Sequence, residues 1–145
     1  MSTETNKLLV RQFIATIINT GNLALLDHFV ATNIIDHNAG PDQAPGIVGY
    51  HQHLAGVRTT FPDFTLTIEA QFAEGEYVIT RVTGRGTHQG VWLGIRPRGT
   101  EITVTGINLD RVVDGKIVEH WGEANTVGML LQLGVQLVPP GDTSP

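Results

Sequence analysis

The chain has 145 residues, enough for one domain with a buried core, and its formal charge of −5 argues against a protein that follows the phosphates of nucleic acids. The absence of cysteine excludes disulfide bonds, thiolate catalysis and cysteine-type zinc sites. The N-terminus does not resemble a signal peptide, and no apolar run is long enough to cross a membrane. We therefore expect a cytoplasmic protein with neither nucleic acid nor membrane as a partner.

The first sixty residues predict three helices. Apolar residues recur at helical spacing over about residues 5–20, and Gly21 is suited to ending that helix. A second, shorter helix follows, and the stretch around Ile34 and Ile35 looks extended. Residues 38–46 contain two prolines and two glycines and can only form a loop. Residues 48–60 then predict the third helix.

Beyond residue 60 the period changes from helical to extended. Residues 64–72 alternate strictly between apolar and polar, which predicts a strand with one apolar face that includes Phe72. Further strands are predicted at residues 77–90, 101–113 and 116–123. The last two are joined by Asp114-Gly115, the strongest short hairpin signal. A final short helix is predicted over residues 125–133.

Three helices followed by a four-stranded meander predict an α+β fold, with helices packed on one face of a curved antiparallel sheet. We expect a single domain over residues 1–138 and a flexible tail over residues 139–145. The strand at residues 101–113 is apolar on both faces, so both faces should be covered. One face would pack on the helices and line a cavity. A second copy of the chain is the simplest cover for the other, which predicts a homodimer.

The Asp114-Gly115 turn also predicts which residues share one face of the last hairpin. Counting outward gives these pairs: Val112 with Ile117, Asp110 with Glu119, and Asn108 with Trp121, with Glu123 further along the same face. Apolar walls with a few polar groups are typical of a small-molecule pocket, and burial raises the pKa of a carboxyl group toward general acid/base use. The alternatives are that Asp110 and Glu119 are solvated surface groups, and that Asn108 and Trp121 are ordinary core residues.

Six histidines occur, but their spacing matches no metal-binding motif, so no metal is predicted. His37, where the chain enters the loop, is a candidate acid/base of the pocket or a plain loop residue. His53, near the inner face of the third helix, is a candidate pocket contact. His88, at the end of the second strand, is a candidate ligand contact. Trp92 lies in the following loop and is either a lid or a dimer contact.

Five stretches together resemble the SnoaL-like polyketide cyclases, also called the ester cyclase family: IIDHNAGPDQAPGIVGY, FPDF, GTHQG, GINLDRVVDGKIVEHW and VGMLLQLGV. The resemblance implies the cone-shaped α+β barrel shared with nuclear transport factor two, also described as cystatin-like, with an internal pocket. It also implies an intramolecular aldol reaction on an apolar polyketide ester. In this chemistry a carboxylate serves as general acid/base, and neither a metal nor an organic cofactor takes part.

The resemblance further implies a set of pocket positions: His37, Asn38, Trp92, Asn108, Trp121 and the residues after it as far as Asn125. Family members that work as cyclases commonly have an aspartate either directly after the EHW motif or three residues later, where this chain has Gly122 and Asn125. The third strand often has histidine where this chain has Asn108. We therefore expect Glu123 to act as the general acid/base, with His37 and Asp110 as alternatives.

Two kinds of function fit these residues. The first is an enzyme: a cofactor-independent cyclase, or a related isomerase, dehydratase or hydrolase. The second is a binding module that holds a small apolar metabolite without chemistry. A carboxyl group beside the pocket ligand would favour the enzyme. A cavity lined only by asparagine, tryptophan and apolar groups would favour the binding module.

Overall fold

A layer of helices opens the chain, as the periodicity predicts. In the computed structural model, which describes residues 2–141, helix α1 spans Thr3–Phe13 and is capped by the Ser2 side chain, which accepts a hydrogen bond from the Thr5 N–H. The helix continues as a π-helix over Ile14–Ile18, closed by a bond from the Asn19 N–H to the Ile14 carbonyl at 2.9 Å. Gly21, at a φ of +74°, ends it.

The predicted second helix is a 3-10 helix, Leu23–His28, and the third is α2, Gly46–Thr60. Between them lies strand β1, Val30–Asp36, which sequence analysis describes only as extended. β1 pairs in parallel with the last strand in the chain, Lys116–Ala124. The four-stranded sheet of the prediction therefore has a fifth strand, added at its edge.

The meander itself is confirmed. β2 (Thr65–Glu74), β3 (Tyr77–Thr87), β4 (Glu101–Val113) and β5 (Lys116–Ala124) pair antiparallel in sequence order, giving the sheet order β1-β5-β4-β3-β2. The predicted tight turn joins β4 to β5, with φ of +49° at Asp114 and +75° at Gly115. Helix α3, Thr126–Gln132, follows β5 and packs on β4.

The predicted register of the last hairpin is wrong beyond its first pair. Val112 lies opposite Ile117 as expected, but a β-bulge follows in which Val118 has no partner. Beyond the bulge Asp110 pairs with His120 rather than Glu119, and Asn108 and Leu109 pair with Gly122 and Trp121. Because side chains alternate across a sheet, this one-residue slip exchanges the two faces of β5.

A second bulge corrects the prediction for β2. Ile68 pairs with the core residue Val82, and Ala70 then pairs with Arg81, which leaves Glu69 unopposed. The alternation predicts that Phe72 faces the core together with Ile68. Beyond the bulge it lies instead on the outer face of the sheet, where 66% of its surface is exposed.

Two apolar clusters lie on the inner face of the sheet. The larger joins α1, the π-helix and α2 to β1, β3 and β5 through residues such as Phe13, Ile34 and Ile117. The smaller centres on Phe61 and Ile102 near the start of β4. None of the helices within residues 2–141 is long and apolar enough to cross a membrane. Of the predicted tail, residues 139–141 follow α3 without regular structure, and residues 142–145 lie outside the described residues.

Candidate active site

A cavity of about 470 Å³ lies between the helical layer and the inner face of the sheet. Most of its wall is apolar and comes from α1, the π-helix, α2 and the strands, with Phe13, Ile17 and Leu54 as examples. The polar residues of β4 and β5 that border it are Thr105, Asn108, Asp110, His120 and Glu123, and Gly122 borders it as well. This combination is typical of a site for a small apolar molecule.

The centre of the site is a buried carboxylate–histidine pair that the bulge brings together. Asp110 is only 3% exposed, and its Oδ1 lies 2.7 Å from Nδ1 of His120. Because a carboxylate accepts hydrogen bonds, Nδ1 carries a proton and Nε2 is the free basic nitrogen of the neutral ring. Asp110 is one of the predicted acid/base alternatives, but the count from the turn places Glu119 rather than His120 opposite it.

The pKa of His120 is raised above its ordinary value of 6.5. Burial is the largest single influence and by itself lowers this pKa. The hydrogen bond and the negative charge of Asp110, together with the charge of Asp36, outweigh burial and favour the protonated ring. The pair therefore has the chemistry of a general acid/base.

Gly122 leaves space beside the free nitrogen. A Cβ atom at this position would lie 3.2 Å from Nε2 of His120 and 3.1 Å from Oδ1 of Asn108. Asn38 fixes the Gly122 backbone with two bonds, because its Oδ1 accepts from the Gly122 N–H and its Nδ2 donates to the Gly122 carbonyl, both at 2.6 Å. A substrate atom can therefore approach Nε2 where a side chain would otherwise stand.

Two aromatic rings of α2 border the cavity beside the pair. Tyr50 is 2% exposed, and its ring centre lies 5.7 Å from that of His120. Burial, followed by the charges of Asp110 and Asp36, raises the Tyr50 pKa well above its ordinary value, so its hydroxyl stays protonated and able to donate. His53 stacks on Tyr50 at 6.5 Å and lines the cavity as expected, and partial burial lowers its pKa.

Three of the predicted site residues lie at the outer face of the sheet. Trp121 and Glu123 belong to it by alternation, and His37 borders it. His37 stacks on Trp121, with ring centres 4.2 Å apart and planes within 4°, and its Nε2 lies 2.8 Å from Glu119. Glu123 is exposed and pairs with Ile107. It borders the cavity mouth, but alternation puts its side chain on the face of Trp121. The face predicted for Trp121 and Glu123 is wrong because the Val118 bulge was not foreseen.

The remaining predicted residues lie outside the cavity. His88 is 1% exposed against Phe61, and its Nε2 has no hydrogen-bond partner among residues 2–141. Trp92 packs on the same apolar cluster. Asn125 caps α3, where its Oδ1 accepts a bond from the Gly128 N–H at 3.0 Å. The contacts of these three residues serve the packing of the fold.

His120, Tyr50 and Arg58 are among the cavity residues that the sequence patterns did not point to. One local sign of the bulge was present, since Ile117 and Val118 are adjacent apolar residues that break the alternation of β5. Within the described residues no group of three or more histidine, aspartate or glutamate side chains is arranged to hold a metal ion.

Comparisons with known proteins agree with this architecture. TsrD from Streptomyces laurentii is 28% identical, with a TM-score of 0.84 over 94% of this chain and 99% of its own. IdmH from Streptomyces antibioticus, a proposed polyketide cyclase, is 32% identical, with a TM-score of 0.77 over 90% of this chain and 99% of its own. AclR from Streptomyces galilaeus, a proposed hydroxylase, is 29% identical, with a TM-score of 0.80 over 96% and 91%. No curated protein matches the sequence significantly.

Helices packed on a curved sheet around an internal cavity define the nuclear transport factor two-like class of fold. The model of the SnoaL-like polyketide cyclases matches residues 8–133. The chain belongs to the SnoaL-like polyketide cyclase family.

Proposed function

We propose that this protein is a polyketide-cyclase-type enzyme in which Asp110 and His120 act together as the general acid/base, without a cofactor. The observation that carries the proposal is the 2.7 Å contact between these side chains in the wall of an apolar cavity, with Nε2 of His120 free. The substrate class is an apolar polyketide ester, as the family suggests. The setting is cytoplasmic secondary metabolism, which polyketide genes beside this one would support.

In the proposed reaction, Nε2 of His120 removes a proton from a carbon next to a carbonyl group of the substrate. Asp110 holds the ring in the required tautomer and stabilises the imidazolium that forms. The enolate carbon then attacks a second carbonyl of the same molecule, forming the ring C–C bond. The imidazolium returns its proton to the new alkoxide, which becomes a hydroxyl group. The Asn108 amide and the Tyr50 hydroxyl are neutral donors that border the same cavity.

This assignment replaces the expectation that Glu123 is the base. Glu123 is exposed and shares a face with Trp121, whereas Asp110 is buried and bonded to a histidine that borders the cavity. His37 has its Nε2 engaged by Glu119 on the outer face. Neither Glu123 nor His37 therefore has both a free basic atom and a buried partner.

The direct test is turnover of an anthracycline-type ester whose last ring is open, followed by chromatography and mass spectrometry. His120→Gln should lower kcat by at least about 100-fold, the usual contribution of a general base. Glu123→Gln is the matched control and should keep turnover within about 3-fold. Normal turnover by His120→Gln would remove the pair from the mechanism. A product that had gained one oxygen atom would favour hydroxylation, the activity proposed for AclR.

A binding module is the second candidate, favoured by Gly122 and Asn125, since the resemblance implies an aspartate at one of these two positions in members that work as cyclases. The same substrate separates the two functions. The binding module predicts saturable binding with neither ring closure nor exchange of the acidic C–H in deuterated water. The enzyme predicts exchange that requires His120.

We further propose a homodimer formed through the outer face of the sheet. Three apolar side chains supporting this interface are Phe72, Ile79 and Ile107, which are 66%, 44% and 51% exposed. Ile107→Lys should shift the protein from dimer to monomer in sedimentation analysis. Val127→Lys, at an equally exposed apolar residue of α3, is the control and should leave the mass unchanged. A monomeric wild-type protein would overturn this proposal.

A further inference from the structure

The cavity contains a cationic side chain that the proposed chemistry does not use. Arg58, in the last turn of α2, is the only arginine or lysine bordering the cavity within residues 2–141. The wall around it is apolar, with Ile18, Leu23 and Phe64 as neighbours in the lining. A charge on an apolar wall is costly unless something pairs with it.

On α2, Arg58 follows Tyr50, whose ring lies beside His120, by eight residues, which corresponds to about 12 Å of helix. Its Nη1 donates to the Phe64 carbonyl at 2.9 Å, and the Phe64 ring packs with Val104 over Gly84. Val104 precedes Asp110 by six residues on β4, which corresponds to about 20 Å of extended strand. One elongated ligand could therefore contact His120 at one end and approach Arg58 at the other.

No acidic side chain neutralises Arg58 in the part of the chain that the structure describes. Its hydrogen bonds there use only Nη1, to the backbone carbonyls of Phe64 and Ile18, and none of the ion pairs includes it. The carboxylate of Asp63 accepts bonds from the N–H and hydroxyl of Thr87 at 2.7 and 2.6 Å. These bonds lower the pKa of Asp63 most, and the charge of Arg58 contributes to the same shift. A guanidinium has five N–H donors, so Nε and Nη2 retain capacity for a ligand.

The local backbone is shaped around this guanidinium. The π-helix brings the Ile18 carbonyl to Nη1 and lines the cavity with Ile14 and Ile17, and such π insertions are frequent at functional sites. At Gly21 a Cβ atom would come within 2.8 Å of Nε. The carbonyl bonds hold the side chain in one place without cancelling its charge.

We propose that Arg58 forms a second subsite that binds an oxyanion, an ionised carboxylate or phenol, at the end of the substrate remote from the reacting carbon. This inference rests on the proposed function and narrows its substrate class to polyketides with an acidic oxygen at that end. The attraction comes from charge-assisted hydrogen bonds to a planar guanidinium in an apolar wall. Arg58 binds and orients the substrate but takes no part in proton transfer.

The test measures the affinity of three probes that share one flat ring system: anthraquinone-2-carboxylate, its methyl ester and 2-hydroxyanthraquinone. Calorimetry on the wild type should show the carboxylate binding at least about 10-fold tighter than the ester, because only the carboxylate can form a charged pair. Arg58→Gln should abolish this preference and change the affinity for the ester by less than about 3-fold. Arg58→Lys should retain part of it.

Arg96→Gln is the matched control, since Arg96 is an exposed arginine of the loop before β4 and should leave the preference intact. The ionised phenol should lose affinity in Arg58→Gln if phenols are the natural ligand. An equal loss of affinity for the acid and the ester in Arg58→Gln would mean that Arg58 only supports the fold around the cavity. That result would overturn the proposal. If that variant does not fold, equal binding of the acid and the ester by the wild type would overturn the proposal.

The closing measurement separates this proposal from the proposed function. His120→Gln should lose turnover yet bind the carboxylate probe with the wild-type preference. If no ring closure is ever found but the preference disappears with Arg58, the subsite stands and the reaction is wrong. If ring closure needs His120 but the wild type does not prefer the acid, the reaction stands and the subsite is wrong.

Discussion

Two carboxylate–histidine pairs lie on opposite faces of the sheet. Each pair includes one of the adjacent β5 residues Glu119 and His120. On the inner face His120 meets Asp110 at 2.7 Å, and on the outer face Glu119 meets His37 at 2.8 Å. The distances are nearly equal, but the surroundings differ. The Asp110 side chain is 4% exposed and that of Glu119 is 18% exposed.

The difference teaches that contact distance alone does not identify an acid/base pair. Glu119 also accepts a bond from Arg111 at 2.9 Å, and His37 uses Nε2 in its bond while its ring lies on Trp121. The outer pair therefore shares its carboxylate with Arg111, and neither of its side chains lines the cavity. The inner pair keeps one basic nitrogen free beside an apolar cavity, which is what proton transfer from a substrate requires.

The largest contrast is expected between Asp110→Asn and Glu119→Gln, the same chemical change on opposite faces. Asp110→Asn should reduce kcat by at least about 100-fold, because His120 loses the partner that fixes its tautomer and stabilises its charged form. Glu119→Gln should stay within about 3-fold. Ring-closure rates of the two purified variants provide the measurement, and equal losses would show that the two faces are not functionally distinct.

A smaller effect is expected where the inner pair meets the substrate. Gly122→Ala introduces a Cβ 3.2 Å from Nε2 of His120, in the space proposed for the reacting atom. We expect kcat/KM to fall about 10-fold, with Nε2 still able to titrate. Glu123→Ala, one residue further on the outer face, is the control. Full activity of Gly122→Ala would indicate that the substrate approaches His120 from another side.

The two pairs should respond to pH in separate windows. The pKa of His120 is raised on folding, so its stabilisation is complete below the unfolded value of about 6.5 and is lost as pH rises through the folded value. The pKa of Glu119 is lowered by its bonds to His37 and Arg111, so its stabilisation is present above 4.5 and is lost as pH falls through the folded value. Activity should rise with pH as His120 loses its proton.

Urea midpoints of the wild type, His120→Gln and Glu119→Gln across pH test these windows. His120→Gln should flatten the plot of urea midpoint against pH only above about pH 6.5, near the ordinary pKa of histidine. Glu119→Gln should flatten it only in acid. A kcat/KM profile that falls as pH rises through neutrality would contradict the assignment of neutral His120 as the base.

The smallest effect is expected from Arg111→Gln on the outer face. Arg111 bonds to Glu76 and Glu119, but its side chain is 34% exposed, and solvent screens such pairs strongly. We expect the urea midpoint of the dilute protein and kcat to remain close to wild type. A fall in kcat beyond about 10-fold would mean that the outer network supports the site through the sheet.

Local patterns were sufficient for most of the fold. The four-strand meander and the Asp114-Gly115 turn follow from alternation and turn chemistry, and the family follows from short motifs. The parallel pairing of β1 with β5 did not follow, because it joins segments that are about eighty residues apart and carry no mutual pattern.

The candidate site was predicted only in part because two bulges decide which side chains face inward. Asp110, Asn108, Asn38 and His53 border the cavity, and so does His120, which the count from the turn does not place on that face. The sequence of β5 is compatible with either face. Tertiary contacts choose between them, since Ile117 is fully buried in the core while Asp110 receives a partner. Such contacts are invisible to counting along one strand.

The bulge at Val118 also makes the site tolerant of one kind of length change. Val118 has no partner on β4, so a chain without it would keep His120 opposite Asp110 and Gly122 opposite Asn108. Removing any single residue from 120 to 122 would instead alter which side chains meet at the cavity. Gain or loss of a residue at position 118 would therefore leave the Asp110–His120 pairing unchanged. Relatives that differ in length at this point can share the same pair.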